Sequence, residues 1–118
     1  MHDKTIALGE LATARSGDKG NHANVAVVAW RQIGYQFLQE VLTAERVAEF
    51  FQGLEPSRVD RFELPKLGSL NFLLYDALDG GASRSLRTDT QGKLLGTALL
   101  DLQLPVPDNV TEMLPGAP

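Results

Sequence analysis

The run NVAVVAW, residues 24–30, constrains the fold more than any other stretch of the chain. Val25, Val27 and Val28 are β-branched, and the run carries no charge, glycine or proline. Branching at Cβ stiffens χ1, which disfavours a helix and suits a pleated strand. The run is apolar without alternation, so it predicts a strand covered on both faces. Such a strand needs partners beside it and another layer above it.

The residues that follow supply that layer. GYQFLQEVL, from Gly34, predicts a helix with Leu38, Val41 and Leu42 on one face. Thr43 is placed to cap a second helix, AERVAEFF, whose early Glu45 suits the positive end of the dipole. Val47, Phe50, Phe51 and Leu54 follow the i, i+3, i+4, i+7 pattern of a buried stripe, and Gly53 is a natural stop. RVDRFEL, residues 58–64, predicts a strand in which Phe62 and Leu64 share a face opposite Val59, and Pro65 ends it.

Other segments are less decided. TIALGELATA, residues 5–14, reads as a strand interrupted by Gly9 and Glu10. In LGSLNFLLYDAL, residues 67–78, the spacing of Leu67, Leu70, Leu74 and Leu78 predicts a helix, with a strand through LNFLLY as the alternative. ASRSLRT, residues 82–88, predicts a strand and DTQG a turn. Leu95, Ala98, Leu99 and Leu102 form a last helical stripe, weakened by Gly96.

This order is strand, strand, helix pair, strand, helix, strand, helix. Residues 24–64 then form a right-handed βαβ crossover. The fold class is α/β (α+β), a two-layer sandwich of about four strands with helices on one face. Residues 1–104 make one domain, and the proline-rich residues 105–118 a tail lying on it or partly free.

With 118 residues the chain fits a single domain with a real core. Its net charge of −4, from 11 cations and 15 anions, argues against a general nucleic-acid binder but permits a local basic pocket. No cysteine is present to form a disulfide or serve as a thiolate. No apolar run reaches the roughly 20 residues of a membrane helix. MHDKTIALGE shows no basic region followed by an apolar block, so a cytoplasmic location is expected, with no membrane association.

Between the first two strand segments lies ARSGDKGNHAN, residues 14–24, read as a connecting loop. Arg15 and Lys19 are fixed cations, Gly17 and Gly20 relax the backbone, and inward-turned amides could cradle an anion. The spacing is neither that of a Walker A loop nor of a dinucleotide fingerprint. Asp18 opposes an anion unless Arg15 or Lys19 neutralises it. Two readings stand side by side: a turn held by its own Asp–Arg and Asn–backbone bonds, and a site for an anion or acyl thioester. His22 has only His2 as a histidine companion, so it reads as a solvated loop residue and no metal site is expected.

Asn71 falls on the buried stripe if residues 67–78 are helical. A buried amide needs partners, either the first loop or a ligand. Gly80 and Gly81 allow close backbone approach. Arg84, between Ser83 and Ser85, suits an oxygen-rich ligand, or else pairs on the surface like Arg87. Ser16 has no evident base, no catalytic triad or cofactor motif is present, and no cofactor is expected. The candidate binding set is thus Arg15, Ser16, Gly17, Asp18, Lys19, Gly20, Asn24, Asn71, Gly80, Gly81 and Arg84.

LATARSGDKGNHANVAVVA, ELPKLGSLNFLLYDALDGGASRSLRTDTQGK and LLGTALLDLQL, in this order, resemble the C-terminal domain of the acyclic terpene utilisation A family. The resemblance covers residues 8–104 and implies a ferredoxin-like fold. The ideal βαββαβ order of that fold differs from the alternation above, and the difference falls on residues 67–78. Typical members carry a much larger N-terminal domain and are associated with breakdown of terpenoid alcohols through acyl-CoA intermediates. By motif position the characteristic polar residues are Arg15, Ser16, Asp18, Lys19, Asn24, Asn71, Arg84 and Gln91. The resemblance implies an accessory or assembly domain beside a large subunit of the same family, or a homo-oligomer. The alternative is a ligand-binding or small enzymatic domain holding a phosphate, an acyl-CoA or another anionic small molecule.

Overall fold

In the computed structural model, which describes residues 4–77 and 94–116, a helix pair packs on one side of a four-stranded antiparallel sheet. The order is β1 (Thr5–Ala7), α1 (Leu8–Leu11), β2 (Ala12–Lys19), β3 (His22–Ala29), α2 (Gln32–Val41), α3 (Ala44–Phe50), β4 (Arg58–Leu64), β5 (Ser69–Tyr75), α4 (Leu95–Leu99) and β6 (Gln103–Pro105). The strand and turn expected over residues 82–92 lie outside the described residues, as do Gly80, Gly81, Arg84, Arg87 and Gln91.

The main sheet has the order β2-β3-β5-β4, and β1 pairs separately with β6. As the NVAVVAW run predicts, β3 is central. Its two faces are unequal, however. Ala23, Val25 and Val27 are fully buried against the helices, while Asn24, Ala26 and Val28 are only half-buried. This is the ordinary condition of an antiparallel sheet with helices on one side.

Residues 69–75 form a strand, not the helix that the leucine spacing favours. Leu70, Phe72 and Leu74 alternate into the core, and Ser69, Asn71, Leu73 and Tyr75 take the other face. Phe72 is fully buried, and truncating such a residue costs about 3–5 kcal/mol. The expected βαβ crossover is also split. Both β3 and β4 run antiparallel to β5, which inserts between them. They are therefore parallel to each other without touching.

The quoted loop is likewise no loop. Residues 12–19 and 22–29 pair as a hairpin, closed by Gly20 and Asn21. Gly20 has φ +66°, and Asn21 is not left-handed, the glycine-first arrangement of a type II′ turn. The strand expected over residues 5–14 divides at Leu8–Leu11, a helical turn whose Leu8 and Leu11 are fully buried.

The helix pair forms as its periodicity predicts. The Thr43 hydroxyl accepts the N–H of Arg46 at 3.1 Å, capping α3. Gly53 is not the stop, since α3 ends at Phe50 and the left-handed residue is Glu55, φ 51°. Arg61 of β4 reaches under the helix layer, where its guanidinium donates to the carbonyls of Gln39 (2.9 Å) and Leu42 (3.0 Å). These are carbonyls at the end of α2, where a cation is favoured. Glu63 holds the other side of the guanidinium at 2.7 Å. Tyr35, Leu38, Leu42, Val47 and Leu99 complete the core with the strand residues. Beyond β6, Met113 is buried against Gly34 of α2.

Candidate functional site

Strand geometry sorts the candidate residues by parity. Register across the sheet gives three rows on the face away from the helices. The first is Thr13, Val28, Ser69 and Leu64. The second is Arg15, Ala26, Asn71 and Phe62. The third is Gly17, Asn24, Leu73 and Asp60. Arg15, Gly17, Asn24 and Asn71 are thus gathered on one surface. Lys19 ends β2 and pairs with His22.

Ser16 and Asp18 belong to the opposite face. The Ser16 hydroxyl accepts the N–H of Gly96 at 2.8 Å and so ties α4 to β2. Asp18 is exposed near the hairpin end. A turn held by an Asp18–Arg15 bond is ruled out, because a strand points residues 15 and 18 to opposite faces. Gly20 serves the hairpin turn.

Asn71 does not lie on a buried stripe, since its strand places it on the face opposite Leu70 and Phe72. Its amide ties down no loop; its Oδ1 accepts the Ser69 hydroxyl at 2.9 Å, which fixes the amide and leaves its Nδ2 donors unpartnered among the described residues. Asn24 makes no side-chain hydrogen bond there, and its Oδ1 lies 3.4 Å from where a Cβ on Gly17 would stand. The glycine leaves room for this amide. A shallow cleft opens between Asn24, Asn71, Leu73 and Phe62.

One cluster on this face escaped the sequence reading. His22 is in a strand, not a solvated loop. Its Nδ1 accepts the N–H of Asp76 at 2.9 Å, and its ring meets Tyr75 edge-on at 5.2 Å. The Tyr75 hydroxyl donates to Asp60 at 3.0 Å, and Arg58 lies over the Tyr75 ring, 4.2 Å from its centre, and 3.2 Å from Asp60. Tyr75 first, and the Asp60 carboxylate next, push the Arg58 pKa upward, so Arg58 is a fixed cation. The spacing of Arg58 and Asp60 in RVDRFEL carried the signal for this pair; the strand at residues 69–75 that brings Tyr75 to them did not.

At the other end of the face the exposed side chains are apolar. Phe62 is 50% exposed, Leu64 38%, Leu67 68% and Trp30 45%. The N–H of Ala29 bonds to the carbonyl of Gly68 at 2.9 Å, joining the end of β3, just before Trp30, to the 3-10 turn Pro65–Leu67. No group of three histidine or acidic residues is placed to hold a metal among the described residues, and no helix there is long and apolar enough to cross a membrane.

A small α/β domain with a helix layer on one sheet face and a mixed polar and apolar surface on the other is what these residues define. The AtuA ferredoxin-like domain family matches residues 6–105, and the chain belongs to that family. No curated protein and no solved structure matches it.

Proposed function

We propose that the chain is an accessory binding module that docks on a larger polypeptide of its own family through the sheet face opposite the helices. The resemblance supports a role for that work in acyl-CoA catabolism of the terpenoid type. The observation that carries the reading is the apolar rim of Phe62, Leu64, Leu67 and Trp30. Leu64 and Leu67 are exposed together with Phe62 and Trp30, whereas Leu8, Leu11, Leu38, Leu42, Leu70 and Leu74 are fully buried. Scattered exposed apolar residues need no explanation, but a gathered patch marks an interaction surface.

Affinity capture from the source cells tests this, with wild type and Leu67→Asp compared and light scattering run on the purified chain. A co-purifying polypeptide bearing the family's larger domain, lost with Leu67→Asp, supports the reading. No such partner and a monomer in solution contradict it. A self-associating chain with no larger partner replaces the reading with a homo-oligomer.

A second reading, a ligand site, is favoured by Asn24 and Asn71 on the same face, whose donors lack partners among the described residues. It moves the site from the expected loop onto the sheet. Binding of coenzyme A or an acyl-CoA, seen as a thermal shift lost in Lys19→Ala, would keep the hairpin end as part of it.

A further inference from the structure

We propose that the cleft lined by Asn24, Asn71, Leu73 and Phe62, beside Ala26 in register, binds a small organic anion with a planar apolar body. The site goes beyond partner docking, since it uses the middle of the face and shares only Phe62 with the apolar rim.

The row Arg15, Ala26, Asn71, Phe62 sets the geometry. Neighbouring strands are about 4.8 Å apart, so Arg15 and Asn71 flank Ala26 at about 10 Å between backbones. Ala26 and Gly17 give the floor almost no side chain. An anion above Ala26 lies within reach of the guanidinium of Arg15 and of the Nδ2 donors of Asn71. Neither group is satisfied by another described residue. The Ser69 hydroxyl already occupies Oδ1 of Asn71, so this amide meets the ligand as a donor. Asn24 offers both a donor and an acceptor beside it.

The body of the ligand then rests on Leu73 and the half-exposed ring of Phe62, both of which line the cleft. An aromatic ring favours a flat partner. Asp60 stands opposite Leu73 in register, beside the cleft. It does not repel the anion as a free charge would, since Arg58 stands 3.2 Å from it and the Tyr75 hydroxyl donates to it at 3.0 Å. A planar guanidinium joined by amide donors matches a carboxylate better than a point charge.

The test is a titration of the isotope-labelled chain followed by NMR. Benzoate is the probe, with inorganic phosphate as the anion without a body and benzamide as the body without a charge. Benzoate is expected to shift the side-chain amides of Asn24 and Asn71 and the backbone of Ala26 and Leu73, saturably at millimolar concentrations. Arg15→Gln and Phe62→Ala, both at exposed positions, are each expected to weaken it about tenfold while the dispersed spectrum is retained. No shift at these residues overturns the proposal, as do shifts unchanged in Arg15→Gln. Phosphate or benzamide binding as tightly as benzoate overturns it as well. Leu67→Asp is expected to leave benzoate binding intact, so loss of partner docking and loss of this site are read separately.

Discussion

The hydroxyl of Ser16 accepts the backbone N–H of Gly96 at 2.8 Å, joining residues 80 positions apart in the chain. One of the most distinctive polar residues of the hairpin is thus a fastener between sheet and helix. Gly96 belongs to the same joint. A Cβ there would stand 3.1 Å from the carbonyl carbon of Arg15 and 3.2 Å from its nitrogen, and backbone cannot step aside as a side-chain end can. Alanine favours a helix over glycine by about 1 kcal/mol, but overpacking costs about 1–3 kcal/mol. Gly96→Ala is therefore expected to lower the urea midpoint, and Ser16→Ala to cost about 1–2 kcal/mol through the orphaned N–H.

Tyr35 behaves in the opposite way. It is 1% exposed, and its hydroxyl finds no hydrogen-bond partner among the described residues. Burial first, and the Glu63 carboxylate next, raise its pKa above the ordinary 10.0, against the pull of Arg61. The folded state therefore holds this proton more tightly than the unfolded chain. The resulting stability is fully present below pH 10 and is lost as pH rises toward the folded pKa. Tyr35→Phe removes an unsatisfied buried group, so it is expected to be as stable as wild type or more so by up to about 1 kcal/mol. The variant should also lose part of the alkaline destabilisation. Urea titrations at neutral and alkaline pH check both statements.

Arg61 is expected to matter more than its place on an edge strand suggests. It satisfies the carbonyls of Gln39 and Leu42 at once. Arg61→Ala should cost about 1–3 kcal/mol, and Arg61→Lys should recover only part, because a single ammonium does not reproduce the fork. Chemical denaturation of the two variants reads the difference.

The helix pair and β3 were legible because their patterns are local. Thr43, Val47 and Leu54 announce a capped amphipathic stretch whatever surrounds them, and Val25, Val27 and Val28 suit a strand alone. β5 was not, because Leu73 and Tyr75 on its other face fill the gaps between Leu70, Phe72 and Leu74. The alternation then reads as a continuous apolar run, and its leucines happen to fall at helical spacing. β2 was hidden for another reason. Its Ser16, Gly17 and Asp18 are poor strand formers, and only pairing with β3 makes them a strand. The site followed from these elements. Arg15 and Asn71 were singled out from the residues and Asn24 from the resemblance, yet nothing local says that Phe62 stands opposite Asn71. Register is a tertiary fact.

The docking face is best tested by cross-linking the captured complex through primary amines and identifying the linked peptides by mass spectrometry. Lys66 sits in the apolar rim between Pro65 and Leu67, whereas Lys4 precedes β1 in the separate two-stranded sheet. The account predicts cross-links from Lys66 to a polypeptide carrying the family's larger domain, and their loss in Leu67→Asp. Cross-links from Lys4 alone, or a partner retained unchanged by Leu67→Asp, would contradict it.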